Sequence, residues 1–147
     1  MCEAVEVKEV IYRFDDLSEN LRFSWEESFS LEDTRLFSNL SGDRNSIHLS
    51  HEAATKRGFQ GPVVHAARVL GEISRACGFE FFASGVVASN LEAQFCRPVL
   101  HDTKYNFILV CESLCQTRAK KEATFRFEIS DHNKKSYVTG KVRLCFP

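Results

Sequence analysis

The sequence predicts an α+β fold in which a long central helix is covered by a curved antiparallel sheet. Three observations carry this expectation. Residues 31–77 carry repeated helix start and stop signals, with apolar residues gathered on helical faces. Phe125, Phe127 and Ile129 alternate with Thr124, Arg126 and Glu128. Val138, Val142, Leu144 and Phe146 continue the two-residue period beyond the turn-rich Asp131-His132-Asn133-Lys134, which makes the last segment a hairpin. Helices first and strands afterwards place the sheet on one helix layer rather than in alternating βαβ units.

Residues 1–20 mix Val5, Val7, Val10 and Ile11 with many acids and predict a peripheral N-terminal extension, leaving 21–147 as a single domain. From Leu21 to Phe29, Phe23, Trp25 and Phe29 share one parity, as in a strand, and Ser30 stops it. Ser30 with Asp33 three residues later is a capping-box variant that opens a short helix over 31–40. Leu36, Phe37 and Leu40 form its apolar face, and Ser41-Gly42 ends it. Ser50 caps a second short helix, with Glu52 in its first turn, Lys56-Arg57 in its last and Gly58 beyond. Gly61-Pro62 introduces the longest helix, Val63 to Cys77, stopped by Gly78. Its apolar residues surround much of the cylinder, so other structure is expected to wrap it. Leu91, Ala93 and Phe95 then share a face, and Tyr105 to Cys111 is apolar on both faces, like a central strand.

Composition narrows the functions. The 147 residues are 44% hydrophobic and 27% charged, an ordinary globular balance. A formal net charge of −1 lacks the basic footprint of a general nucleic-acid binder. The C-terminal third is nonetheless base-rich, and Lys104, Lys120, Lys121 and Arg143 are candidates for meeting the phosphates of an anionic carrier. Six cysteines show neither CxxC spacing nor paired Cys/His sets, so no metal site is expected from them and most read as buried free thiols. An acidic N-terminus without an apolar run, and no stretch of ~18 apolar residues, predict a cytoplasmic protein without a membrane span.

The densest polar cluster is Ser41-Gly42-Asp43-Arg44-Asn45-Ser46-Ile47-His48. If Asp43 and His48 converge, the carboxylate can accept a proton from a water that the imidazole orients. Such a pair suits addition of water to an activated double bond, or the reverse. The same Gly-Asp-x-Asn composition also builds turns, and taken alone the loop is more often a turn than a site. A second candidate is Gly61-Pro62-Val63-Val64-His65-Ala66, which places free N–H groups at the start of the long helix, where an oxyanion would be stabilised. His65 reads there as a packing or hydrogen-bonding histidine rather than a proton donor.

The run from Phe37 through Ala53, with its Ser-Gly-Asp-x-Asn-x-Ile-His core, resembles the signature of MaoC-like R-specific enoyl-CoA hydratases. The block from Gly58 to His65 is similar to that family's next motif, and Phe95-Cys96-Arg97-Pro98-Val99 to its strand motif, in the same order. The resemblance implies a hotdog fold, in a homodimer or a double hotdog, with no cofactor beyond the CoA or acyl-carrier thioester that is the substrate, and no metal. It implies that Asp43 and His48 activate the water that adds to a trans-2-enoyl thioester. Asn45, His65 and Ala66 are the implied substrate-side residues, Asn45 shaping the loop and the Ala66 backbone N–H polarising the thioester carbonyl. Two positions depart from the family pattern. Ser46 stands where proline is usual, and Ala66-Ala67 replace Gly-Met, placing a methyl group where the thioester must approach the backbone. A hydratase is therefore the leading expectation; a non-catalytic acyl-thioester binding protein and a thioesterase are the alternatives.

Overall fold

A computed structural model describes residues 11–147. Five strands form one antiparallel sheet: β1 (Arg22–Glu27), β2 (Val87–Phe95), β3 (Tyr105–Gln116), β4 (Lys121–Ser130) and β5 (Ser136–Phe146). Their order across the sheet is β1-β3-β4-β5-β2, so β1 and β2 are its edges. Between β1 and β2 run four helices, α1 (Leu31–Ser41), α2 (Ser46–Leu49), α3 (His51–Lys56) and α4 (Ala66–Arg75). The last of these lies along the inner face of the sheet. Inward positions of β3, β4 and β5 supply Phe107, Leu109, Phe125, Ile129, Val138, Val142 and Leu144, which enclose Val69 and Ile73 of α4. The alternation seen in the sequence of β4 and β5 is thus the inside–outside alternation of the pleat. Asp131 closes their hairpin, its Oδ1 accepting from the N–H groups of Asn133 and Lys135 at 2.9 Å each.

The aromatic residues serve mainly as core. Phe82 packs 5.3 Å from both Phe23 and Phe125, and 5.7 Å from Phe146, measured between ring centroids. On β5, Gly140 faces Phe127 of β4, and a Cβ there would overlap the Phe127 ring and the Glu92 carbonyl. A large ring on one strand and a bare backbone on the next fill one layer of the core.

Among the described cysteines only Cys77 and Cys111 are buried, so most are not the buried thiols expected, and four stretches of the chain also depart from the sequence expectations. The proposed extension 1–20 lies outside the described residues as far as position 10; of the remainder, Phe14 and Leu17 are buried, and Tyr12 bridges to Phe82. The long helix begins at Ala66, because Val63 and Val64 are extended and pair with residues 99–100, Val64 N–H donating to the Val99 carbonyl at 2.8 Å. Its end does not stop at Gly78 but widens into a π turn over Ala76–Glu80, closed by Phe81 N–H to Ala76 O at 3.1 Å. Finally, α1 turns its polar face inward: Thr34 and Ser38 are buried, while Leu36 and Leu40 are exposed. Both inward hydroxyls are within hydrogen-bonding distance of buried or half-buried histidines, and this outweighs the apolar stripe.

Candidate active site

Local chemistry leads the chain into the site. Ser30 Oγ accepts from Asp33 N–H at 3.0 Å and Asp33 Oδ2 accepts from Ser30 N–H at 2.8 Å, the reciprocal cap expected at the start of α1. Two hydrogen bonds donated to Asp33 Oδ2, from the Ser30 N–H and the Ser30 hydroxyl at 2.8 Å each, hold the Asp33 carboxyl below the usual carboxylate range. At the other end Gly42 takes φ +79°, the left-handed conformation that closes a helix, and delivers Asp43 to the loop.

The Asp43 carboxylate divides its duties. Oδ1 accepts from Asn45 N–H at 3.1 Å, an Asx turn, and Oδ2 stays free of the loop. Asn45 in turn caps α2, its Oδ1 accepting from Ile47 N–H at 3.3 Å. The turn reading and the site reading of this segment are therefore compatible, because the turn engages one carboxylate oxygen and leaves the other free of the loop.

His48 lies on α2 and is buried. Its Nδ1–H donates to the Val63 carbonyl at 2.6 Å, which leaves Nε2 as the lone-pair nitrogen, 3.9 Å from Asp43 Oδ2. One water oxygen at ~2.8 Å from each can span such a gap. The Asp43 side chain is 52% exposed and that of His48 11%, so the pair is wetted from the carboxylate side.

His65, the residue before α4, is 2% exposed and adjoins both members of the pair. Its Nε2 lies 3.1 Å from the Asp43 carbonyl oxygen and 3.4 Å from Ser38 Oγ. Its ring stacks on His48 with centroids 3.8 Å apart, and Phe37 covers it at 5.0 Å. Ala66 begins α4, whose N-terminus has no side-chain cap; Arg68 N–H donates to the His65 carbonyl at 3.0 Å, which leaves the N–H groups of Ala66 and Ala67 for another acceptor.

The five residues singled out from sequence thus fall in one neighbourhood, with Asn45 used structurally. Three of the four basic candidates, Lys120, Lys121 and Arg143, are engaged or placed elsewhere. Lys120 pairs with Glu122 at 2.6 Å and Lys121 with Asp15 at 3.4 Å, while Arg143 lies on β5 opposite Thr124. Two partners of the site went unforeseen. Ser38 and the Val63 carbonyl have no sequence signal, since each depends on which face or dihedral the chain adopts.

The ligand atoms of Asp43, His48 and His65 lie within 4.8 Å of one another, a spacing that a divalent cation could bridge. Such a cation would need a lone pair on His65 Nε2. That nitrogen faces a carbonyl oxygen, which accepts and cannot donate, so the set is better matched to a water than to an ion.

Comparison with known proteins follows the same line. Residues 15–133 match the family described as MaoC like domain. A 3-hydroxybutyryl-CoA dehydratase from Methylorubrum extorquens is 32% identical over 90 residues, covering 61% of this chain and 57% of that protein. A mitochondrial 3-hydroxyacyl-[acyl-carrier-protein] dehydratase from Arabidopsis thaliana is 26% identical over 120 residues, covering 81% and 71%. Among solved structures, an (R)-hydratase from A. caviae involved in PHA biosynthesis superposes with a TM-score of 0.80 at 22% identity, over 89% of this chain and 98% of that one. An R-hydratase from Pseudomonas aeruginosa gives 0.82 at 21%, over 92% and 85%. These structural likenesses establish the hotdog fold. With the family match running from just before β1 through β4, this chain belongs to the MaoC-like domain family.

Proposed function

We propose that the protein is a lyase that adds water to trans-2-enoyl thioesters, giving R-3-hydroxyacyl thioesters, and that it catalyses the reverse dehydration. The observation that carries this reading is the 3.9 Å gap between Asp43 Oδ2 and the lone-pair nitrogen of His48. It is supported by relatives named as dehydratases of 3-hydroxyacyl thioesters.

In the forward direction the water oxygen bonds to C3 as Asp43 takes one of its protons and His48 orients it. The electrons of the C2=C3 bond move toward the thioester carbonyl oxygen, which the free N–H end of α4 at Ala66 is suited to polarise. The enolate-like species then takes at C2 the proton that Asp43 accepted, which restores the carboxylate, so water is added whole. The reaction is redox-neutral, and the residues present supply both the base and the oxyanion donor, so no cofactor enters beyond the thioester.

A homodimer belongs to the same reading. Edge strand β2 exposes Val87 and Phe95, and α4 exposes Ala67, Gly71 and Ser74, surfaces on which a second copy can pair and pack. Among the described residues no helix is long and apolar enough to cross a membrane. Cytoplasmic location, with the cysteines reduced, is part of the proposal.

Purified protein is expected to erase the conjugated enoyl absorbance of crotonyl-CoA, and Asp43→Asn and His48→Ala are each expected to abolish this. Release of free thiol without hydration would make the protein a thioesterase. Heat stabilisation by crotonyl-CoA without turnover would make it a binding module.

A further inference from the structure

We propose that His65 is a positioning residue that holds both members of the water-activating pair at once, through its Nε2–H to Asp43 and its ring face to His48. The proposal rests on the hydratase reading and adds to it a third side chain whose work is alignment.

Asp43 and His48 lie on a short loop and a helix of only four residues, and neither is anchored by its own element. His65 is anchored. Its ring is 2% exposed, sits at the base of α4, and packs against both Phe37 of α1 and His48. The stack on His48 has centroids 3.8 Å apart and planes 26° apart, close enough to fix the ring rotation that aims His48 Nε2. The tether of His48 Nδ1 to the Val63 carbonyl fixes one end of that ring, and the stack fixes its plane.

Chemistry assigns the tautomer of His65. Nε2 faces the main-chain oxygen of Asp43 at 3.1 Å, and a carbonyl oxygen can only accept, so Nε2 carries the hydrogen. Nδ1 is buried with no hydrogen-bond partner. A lone pair left there costs less than an unpaired N–H would, which again puts the proton on Nε2. The hydrogen bond holds the backbone of Asp43, while its side chain is held by the Asx turn to Asn45. Both elements of the pair are therefore referenced to one buried ring at the start of the central helix, whose Val69 and Ile73 are seated in the core.

Three substitutions separate the contacts. His65→Phe keeps a ring to stack but has no donor, His65→Gln keeps an N–H donor but has no ring, and His65→Leu keeps neither. With crotonyl-CoA as substrate and melting temperatures recorded in parallel, His65→Leu is expected to lower kcat on the order of 10–100-fold, the cost of a misplaced catalytic group. KM should change less than about twofold, because the proposal gives His65 no substrate contact. His65→Gln and His65→Phe should each recover part of that loss. A kcat within twofold of wild type in folded His65→Leu would overturn the proposal, as would a raised KM with kcat unchanged, or no recovery in either conservative variant. Imidazole nitrogen shifts of the wild-type protein give a reading that needs neither turnover nor a folded variant. They are expected to show protonated Nε2 on His65 and protonated Nδ1 on His48. Protonated Nδ1 on His65 would overturn the assignment even in active protein. Wild-type protein that leaves crotonyl-CoA untouched but shows the expected tautomers would overturn the hydratase reading and leave the geometry standing.

Discussion

The hydrogen bond from His48 Nδ1–H to the Val63 carbonyl, 2.6 Å long, joins α2 to the strip of chain that leads into α4. It fixes which nitrogen faces Asp43, and it separates the structural from the chemical duty of one ring. An asparagine at position 48 places an amide N–H near the site of Nδ1 and nothing at the site of Nε2. His48→Asn is therefore expected to keep most of the melting temperature while crotonyl-CoA hydration falls by roughly 10²–10⁴-fold, the usual range for a lost general acid–base group. Circular dichroism melting and the enoyl absorbance assay, run on the same preparation, check both halves.

The cap of α1 is the hinge on which the loop is hung. Ser30→Ala removes the acceptor for Asp33 N–H, at an expected cost of about 0.5–2 kcal/mol in urea unfolding. The acid response follows from Asp33, whose carboxyl is held below its ordinary value by the backbone and hydroxyl of Ser30. The folded state then binds fewer protons than the unfolded state in that interval. The stabilisation is fully present above the unfolded carboxylate value and is lost as pH falls through the lowered one. The gap in urea midpoint between wild type and Asp33→Asn should be widest near neutral pH and should shrink steadily below about pH 4.

Gly140 is needed for volume rather than for dihedral freedom. Its missing Cβ is the space that the Phe127 ring and the Glu92 carbonyl occupy. Gly140→Ala is expected to destabilise by roughly 1–3 kcal/mol or more, the cost of overpacking a filled core. Phe127→Leu in the same chain should return part of that loss, since the two positions face each other across β4 and β5. Additive losses in the double variant, measured by urea unfolding, would place the strain elsewhere.

How much of this was legible depends on distance along the chain. The Ser30–Asp33 cap, the Ser50 cap and the alternation of β4 and β5 are written within a few residues, and the structure carries each of them. The convergence of Asp43 and His48 could be anticipated from the motif, though not its geometry. The start of α4 could not, because Val64 is drawn into an extended strip by Val99, thirty-five residues away. The inward polar face of α1 was hidden for the same reason, since Ser38 and Thr34 find their partners at His65 and His101. Glu72, buried on α4 between Arg68 and Arg75, also reads as a solvated charge until the two guanidinium groups are seen to close over it.

The cysteines test how firmly the end of α4 is seated. Cys77 lies in the π turn, 2% exposed, and burial pushes its thiol up to about 12. Cys111, on the inside of β3, is raised for the same reason, while Cys115 on the same strand is exposed. Alkylation proceeds through the thiolate, so at pH 8 both protection from solvent and the raised value act against Cys77. Brief iodoacetamide treatment of native protein, followed by peptide mass spectrometry, is expected to label Cys115 and to leave Cys77 and Cys111 unmodified until denaturant is added. The contrast between Cys111 and Cys115 controls for reagent strength within one strand. Labelling of Cys77 at a rate near that of Cys115 would mean that the π turn opens freely, and α4 would then lack a rigid seat for His65.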